Sequence, residues 1–413
     1  MPSPPPPDVI DLHDPPDFEV ESRDELDHHL AKGSLAGLTV QGLRLDTEPV
    51  PDLTTVDLTE TLFVGCRFAS PEVEADLVRR GAHVVPGFPA LPYPSQPTHL
   101  YTAEDLAAGF VDGGFAGMYD TVVYDHFRAH GGALPEVREA FAQRMHDHGI
   151  DNALADITRG WLRRHGPASV VGVMGGHAVP RGTAAYRLAA TLGWELTRAG
   201  KLVITGGGPG VMEAANLGAY LSTHTAEELT EAIDALAAAP HFADHDPYTA
   251  AALEVRARFT PTAAAEGRAD GWARRGGLSI PTWLYGHEPA NLFAGQIAKY
   301  FSNAIREDTI LRLARGGIVF AAGRAGTLQE VFQAATKTFY ATDGASGAYV
   351  FLDRAFWTQT LPIETLLRPL LALSPHGDLS TSIHVTDDVR EAVALLTATA
   401  SADCRPRGPS AAR

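Results

Sequence analysis

The feature that most constrains this chain is an apolar run that passes through glycines into a helix-like segment. Leu202 to Thr205 is apolar and partly β-branched, which predicts a buried strand. Gly206 to Gly208 follow, and Pro209 then suits the first turn of a helix, where its missing N–H costs nothing. This order directs free backbone N–H groups and a helix dipole at one point, which suits a phosphate. A tight β–α turn that merely needs glycine is the alternative.

The residues around these glycines exclude two familiar nucleotide loops. No Gly-Lys-Ser/Thr follows them, so the loop is not a Walker P-loop. Val211 stands where G-x-G-x-x-G requires its third glycine, so the dinucleotide fingerprint is absent. Three consecutive glycines exceed what a turn needs, and this favours a phosphate loop over the plain turn.

A second stretch, Gly317 to Glu330, repeats the order of strand, small-residue loop and helix. Within it, Thr327 and Glu330 have the spacing of a capping box, in which each side chain bonds the other residue's backbone N–H. Capping is therefore the purely structural interpretation of this pair, and it is compatible with a chemical role.

Charge and composition narrow the class of function. The 413 residues allow two to three domains, and a net charge of −17 argues against a nucleic-acid polymer as substrate. The two cysteines, Cys66 and Cys404, give no disulfide framework, which predicts a cytoplasmic protein. There is no apolar run long enough for a membrane span and no signal peptide. None of the four lysines lies in an evident cofactor motif, so no cofactor is expected.

The order of elements predicts an α/β fold, a doubly wound Rossmann-like parallel sheet. A strand at 169–174, a loop at 175–182 and a helix at 183–198 precede the strand at Leu202. Ligands of such sheets bind beyond the carboxyl ends of the strands, so Gly175 and Gly176 should line one crevice with the three later glycines. Further on, 278–283 predicts a strand and 292–313 a long amphipathic helix, with 223–275 as an insertion or cover.

The remaining regions suggest a small N-terminal β-rich accessory domain and a helical connector. Short apolar spacings at 35–45 and 56–68 predict strands, and a five-residue-repeat solenoid is an alternative interpretation. His126 and His130 have a spacing that metals use, but Phe127 replaces the glutamate of H-E-x-x-H and no third ligand is evident, so we expect ordinary histidines and no metal. The predicted boundaries are a disordered proline-rich tail at 1–16, the accessory domain at 17–95, the connector at 96–166, the Rossmann-like domain at 167–399 and a tail at 400–413.

The two glycine stretches together resemble the Lonely Guy (LOG) family of nucleotide phosphoribohydrolases, which carries GGG-x-G-x-M and PGG-x-GT-x-x-E. Here these motifs stand as Gly206 to Met212 and Ala322 to Glu330. The resemblance spans about residues 168–400 and is closer to the longer bacterial members, including nucleoside-monophosphate nucleosidases. The second motif departs from the family, because Ala322 and Arg324 replace its proline and one glycine.

The resemblance implies hydrolysis of the N-glycosidic bond of nucleoside 5′-monophosphates to free base and ribose 5-phosphate. The oxocarbenium-like ribose of such a reaction needs a nearby carboxylate, which the family match assigns to Glu330. The family also places an arginine on the preceding helix. Arg306 is the best match, with Arg312 and Arg315 as further candidates. A homodimer or higher homo-oligomer is implied as well.

The residues expected to bind substrate lie on the glycine loops and on a Glu-x-x-Asn segment like that of the long LOG proteins. They are Gly175, Gly176, Gly206, Gly207, Gly208, Gly210, Met212, Glu213, Glu288, Asn291, Gly323, Arg324, Gly326 and Thr327. The altered second motif leaves another class of function open, a non-catalytic nucleotide-binding sensor or interaction protein.

Overall fold

A computed structural model describes residues 18–85, 87–260 and 271–398, so both predicted tails lie outside the described residues. Its strands are β1 (Glu19–Val20), β2 (Thr39–Gln41), β3 (Leu62–Val64), β4 (His83–Val85), β5 (Val170–Met174), β6 (Leu202–Thr205), β7 (Leu278–Ser279), β8 (Gln296–Ile297), β9 (Gly317–Ala321), β10 (Ala348–Leu352) and β11 (Ile383–Thr386). Its helices are α1 (Arg23–Ala31), α2 (Pro71–Arg79), α3 (Ala103–Ala107), α4 (Phe110–Gly117), α5 (Tyr119–Ala129), α6 (Val137–His165), α7 (Ala184–Arg198), α8 (Val211–Tyr220), α9 (Ala226–Leu236), α10 (His245–Arg258), α11 (Asn303–Leu313), α12 (Ala325–Tyr340), α13 (Glu364–Ala372) and α14 (Val389–Thr397).

The main sheet has seven parallel strands in the order β11-β10-β9-β5-β6-β7-β8, which confirms the predicted doubly wound α/β fold. Its inner strands β5, β6 and β9 are buried along their whole length, as the apolar runs predicted. The chain leaves β5 toward β6, β7 and β8, and then returns to place β9 on the other side of β5. This reversal is the switch point at which such sheets hold their ligands.

The segment predicted as a single helix over 292–313 is helical only in its second half. Helix α11 begins at Asn303, where the Ser302 hydroxyl caps it by accepting from the Ile305 N–H. Upstream, β8 forms the sheet edge, and Ile297 exchanges backbone hydrogen bonds with Tyr101. Residues 292–294 and 297–298 are buried, so their apolar character reflects burial and not one face of a helix. Likewise, β7 covers only the first two residues of the strand predicted at 278–283.

The N-terminal part is a small parallel solenoid. Strands β1 to β4 lie side by side in chain order, and Thr39 pairs with Leu62, 23 residues further on. The bridges Ser34–Asp57 and Arg44–Arg67 keep the same offset. A coil of this length lies within the range of leucine-rich repeats, so the alternative of a five-residue repeat is wrong. Helices α1 and α2 connect strands of this sheet, and the short apolar spacings did not predict them.

Helices α3 to α6 join the solenoid to the main sheet. Asp120 at the start of α5 is fully buried and accepts hydrogen bonds from Lys299 Nζ at 2.6 and 2.8 Å and from Trp283 Nε1 at 2.8 Å. This ion pair ties α5 to the segments on either side of β8. His126 lies 3.2 Å from the Glu139 carboxylate and stacks on His130. In the described parts of the chain, no helix is both long and apolar enough to cross a membrane.

Candidate functional site

Three loops meet at the switch point, those that follow β5, β6 and β9. The Gly176 N–H donates to Ala322 O at 3.0 Å, and the Val211 N–H donates to Gly176 O at 3.3 Å. A Cβ on Gly210 would overlap the Gly176 carbonyl, and one on Gly175 would crowd Val211. The loops are therefore in direct backbone contact, and the predicted glycines of all three line one crevice.

Gly207 is the position at which the β6 loop cannot use another residue. Its φ is +76°, and an added Cβ would overlap the buried Ser279 hydroxyl and Pro281. Its N–H is bonded to Thr205 Oγ1 at 3.1 Å. The N–H groups of Gly208 and Gly210, by contrast, form no hydrogen bond with any described residue. They are available to an anion, as the sequence predicted for this loop.

The loop after β9 leads into α12, which begins at Ala325, with Arg324 as a cap residue that makes no side-chain bond. Thr327 and Glu330 are consequently the third and sixth residues of the helix, so the predicted capping box is wrong. The helix starts two residues earlier than that pattern requires. The Thr327 hydroxyl forms no hydrogen bond within the described structure and lies against Gly323. The first-turn N–H groups of α12 and this hydroxyl are thus unoccupied donors at a helix N-terminus.

Arg306 is held in the crevice by three protein oxygens. Its Nε donates to Ile280 O at 2.9 Å, its Nη1 to Asn303 Oδ1 at 3.1 Å and its Nη2 to Gly206 O at 3.2 Å. A Cβ on Gly206 would overlap this guanidinium. The structure therefore brings together two predicted site residues that are 100 positions apart in the chain.

The further candidates Arg312 and Arg315 make no such contact with the glycine loops. Arg312 Nε is buried without a hydrogen-bond partner, and Arg315 Nε donates to Ala345 O at 3.4 Å. Arg306 is thus the arginine of the three that lies at the crevice.

Two carboxylates face the Arg306 guanidinium. Glu330 Oε1 lies 3.7 Å from its Nη2, and Glu307 Oε1 lies 3.8 Å from its Nη1. Glu307 accepts hydrogen bonds from Asn303 Nδ2 at 2.7 Å and Gln329 Nε2 at 2.5 Å. Glu330 accepts none from a described residue. Burial raises the pKa of Glu330 to about 7, against the attraction of Arg306 and with the repulsion of Glu307.

Glu288 lies at the mouth of the crevice. Its Oε2 would be 2.7 Å from a Cβ on Gly208, and its Oε1 is 3.6 Å from His177 Nδ1. Burial raises the pKa of Glu288, and the nearby His177 opposes that rise. Met212 packs beneath the glycine loop, with its terminal methyl facing Gly208.

Two predicted substrate ligands brace the loops from behind and do not face the crevice. Glu213 is bonded to Arg181, to Tyr186 Oη at 2.9 Å and to Tyr248 Oη at 2.7 Å. The Asn291 amide and carbonyl are taken up by Asn216 and by the Phe293 N–H. Their sequence context is that of a loop ligand, but the surrounding side chains use every polar atom of both.

Sequence reasoning missed four residues of this region. Arg181 is buried, pairs with Glu213 and lies 3.2 Å from the centre of the Tyr248 ring. Asn303, Glu307 and Tyr285 surround Arg306, and Asn303 Nδ2 also donates to Tyr285 Oη at 3.0 Å. They belong to no motif used in the sequence analysis. Their one signal is position, beside Arg306 or three residues before Glu288.

Neither a metal cluster nor the most open cavity coincides with the crevice. The described residues contain no group of three or more His, Cys, Asp or Glu side chains that could hold a metal ion. A cavity of about 610 Å³ lies between α7 and the start of α14, where Arg354 donates to Val385 O and Thr386 donates to Glu391. Its polar groups bond one another, so it offers less to a ligand than the glycine crevice does.

Comparison with known proteins places a similarity on the first half of this site. Residues 168–225 match the family model described as SLOG cluster4, and no curated protein matches the chain. The matched segment runs from the start of β5 to beyond α8 and contains the Gly206 to Met212 loop. The loop that carries Glu330 lies beyond it. This stretch of the chain is therefore similar to the SLOG cluster4 family, in which a nucleotide-related function is expected.

Proposed function

We propose that this protein hydrolyses the N-glycosidic bond of nucleoside 5′-monophosphates and releases a free base and ribose 5-phosphate. The observation that carries the proposal is the Glu330 carboxylate. It is buried, accepts no hydrogen bond from a described residue and lies 3.7 Å from an arginine anchored to the glycine loop. A buried carboxylate without a structural partner is costly unless it has a function.

The phosphate would bind at the start of α12. The first-turn N–H groups, the Thr327 hydroxyl and the exposed Arg324 side chain all offer donors there. Arg324 makes no ion pair with a described residue, and the space beside Gly326 is open. The arginine that replaces a family glycine therefore adds a donor and does not fill the loop.

The chemistry follows from the position of Glu330. As the C1′–N bond breaks, its electron pair leaves with the base, which takes up a proton, and the ribose gains positive charge. Ionised Glu330 stabilises that charge and accepts a proton from the water that attacks C1′. A pKa of about 7 leaves a substantial fraction of this carboxyl ionised at neutral pH. Arg306, fixed by Ile280 and Gly206, orients the ribose or the departing base.

One observation favours the second candidate, a nucleotide sensor without catalysis. Ala322 replaces the proline of the family motif, so the loop before α12 has lost a rigid residue. A sensor would bind nucleoside monophosphates in the same crevice and release no base.

The test is release of free base from a panel of nucleoside 5′-monophosphates, followed by chromatography, with adenosine beside adenosine monophosphate at equal concentration. Loss of two charge-assisted phosphate contacts is worth about 3–6 kcal/mol, so the nucleoside should react two to four decades more slowly. Ribose 5-phosphate should inhibit and free ribose should not. Equal rates for nucleoside and nucleotide would contradict the phosphate site, and binding without any base release would favour the sensor.

A further inference from the structure

The segment from Tyr285 to Glu288 spans the mouth of the crevice. At one end, the Tyr285 hydroxyl accepts from Asn303 Nδ2 at 3.0 Å, at the first residue of α11. At the other end, Glu288 reaches the glycine loop beside Gly208. The segment therefore connects the helix that carries Arg306 to the loop that carries the glycines.

The Tyr285 ring is open to solvent although its hydroxyl is tethered. The residue is 69% exposed. The tether leads directly to the reaction centre, because Asn303 also accepts from Arg306 Nη1 and donates to Glu307 Oε1. Few reasons other than ligand binding account for a flat apolar ring that is fixed at its tip and exposed beside a catalytic arginine.

The base of this segment is rigid. The Thr121 hydroxyl donates to Phe115 O at 2.5 Å and so accepts from His287 Nε2 at 2.7 Å. The His287 ring lies between Phe115, at 4.5 Å, and Tyr124, at 4.7 Å. Burial lowers the pKa of His287 to about 4, so the ring stays neutral and packed at physiological pH. A ring presented from a fixed segment loses little conformational entropy when a ligand binds.

We propose that Tyr285 is the wall on which the nucleobase of the substrate stacks. This inference rests on the proposed function and assigns its base-binding side. With the phosphate at the start of α12 and the scissile bond between Arg306 and Glu330, the base extends toward the mouth, where the ring is exposed. Stacking on an aromatic face tolerates any base, while Glu288 and His177 offer polar atoms to the base edge.

The experiment measures binding by calorimetry to the full-length protein that carries Glu330→Gln, so that substrate is not consumed. Adenosine monophosphate and ribose 5-phosphate are the two ligands, since only the first has a base. Tyr285→Leu removes the ring, and Tyr285→Phe keeps the ring but removes the tether. Tyr340→Leu is the control, because Tyr340 is 58% exposed at the opposite end of α12.

Tyr285→Leu should weaken adenosine monophosphate binding by about 5- to 150-fold, equivalent to roughly 1–3 kcal/mol. Ribose 5-phosphate binding should change less than about twofold, and Tyr285→Phe should keep most of the nucleotide affinity. Equal weakening of both ligands, or of neither, overturns the stacking wall and leaves the proposed function standing. If the Glu330→Gln protein with Tyr285 intact binds neither ligand, both proposals fall.

Discussion

Glu330 and Glu307 flank the same guanidinium, and their hydrogen bonds assign them different roles. Glu307 is satisfied by Asn303 and Gln329, whereas Glu330 has only the ion pair at 3.7 Å. A satisfied carboxylate stays in place and contributes a fixed negative charge. An unsatisfied one is free to bond a ligand or a water molecule.

Glu330→Gln should abolish base release and leave nucleotide affinity within about tenfold, or roughly 1.4 kcal/mol. The pH dependence of stability provides a second readout. The folded-state pKa of Glu330, about 7, lies above its model value of 4.5, so the folded protein binds the extra proton between these values. The stability of the unmodified protein should therefore fall as pH rises from 4.5 to 7, and the variant should lack this loss.

Above about pH 7 the variant should be more stable, by up to about 3 kcal/mol, in denaturant titrations at several pH values. Near-normal base release by Glu330→Gln would remove this residue from the mechanism. Parallel stability curves for the two proteins would contradict its raised pKa.

Glu307→Gln tests the fixed neighbouring charge. Arg306 and Glu307 are the charged groups that act on Glu330, and Glu307 raises its pKa. Without that negative charge the pKa of Glu330 falls, so the acid limb of the kcat/KM profile should move to lower pH. Glu104→Gln, an exposed carboxylate in α3, is the matched control and should leave the profile unchanged. An unmoved limb with reduced stability would give Glu307 a purely structural role.

The sequence predicted the residues whose identity the backbone dictates and missed those that other side chains recruit. Gly206, Arg306 and Glu330 lie together as expected, because a motif encodes the loop and helix that hold them. Glu213 was expected to face substrate, but Arg181 and two tyrosines from distant segments take up its carboxylate. No spacing in the chain reveals a partner that arrives from another helix.

At the scale of elements, the two glycine loops differ in what they tolerate. Gly207→Ala should lower the free energy of unfolding by about 1–3 kcal/mol, because it forces an L-residue to a φ of +76° and against Ser279. It should also impair nucleotide binding. Gly326→Ala is the matched substitution. It has open space within 4 Å, lies in the first turn of α12 and should be neutral or stabilising by up to about 1 kcal/mol. Equal melting temperatures for the two variants would contradict the described loop.

Helix α12 should act as the anion-binding element. Arg324→Ala should weaken ribose 5-phosphate binding by about 10- to 150-fold, since a charge-assisted hydrogen bond is worth about 1.5–3 kcal/mol. Stability should stay within about 0.5 kcal/mol, because the side chain is exposed and makes no bond with a described residue. Arg79→Ala, on the exposed side of α2, is the control. Unchanged binding would move the phosphate to the Gly206 to Gly208 loop.

The element boundaries failed where burial or an earlier helix start overrode the local pattern. The apolar residues before Asn303 mimic one face of a helix, although they form a buried edge segment beside Tyr101. The Thr327–Glu330 spacing mimics a cap, although α12 has already begun at Ala325. Sequence periodicity cannot separate these cases, because both depend on contacts far along the chain.

At the scale of the whole molecule, the apolar core is divided in two. One cluster runs from Val20 to Ala82, and the other begins at Tyr93. The contacts between them are polar, with Gln41 accepting from Gln96 at 2.8 Å and from Asn152 at 3.2 Å. The predicted domain boundary at 95–96 stays a prediction, but the cores favour a position ahead of Tyr93.

A truncated chain that begins at Phe88 should therefore fold and bind nucleotide. A chain that begins at Leu100 loses Tyr93, which is 3% exposed and donates to Glu139 Oε1 at 2.7 Å. It should be less stable by about 3–5 kcal/mol, as for other large core truncations. Thermal melting of the two chains checks this, and an insoluble Phe88 chain would show that the solenoid and the sheet fold as one unit.

The order of strands also fixes when the site can exist. Val170 pairs with Leu202 only 32 residues away, but Gly172 pairs with Ile318, 146 residues away. The near pairing closes a short loop, and the distant one must wait for most of the domain to be arranged. Since the crevice lies over the distant seam, no early folding species possesses it. A bound nucleotide therefore draws on the completed sheet alone, and by mass action it withdraws chains from the unfinished population.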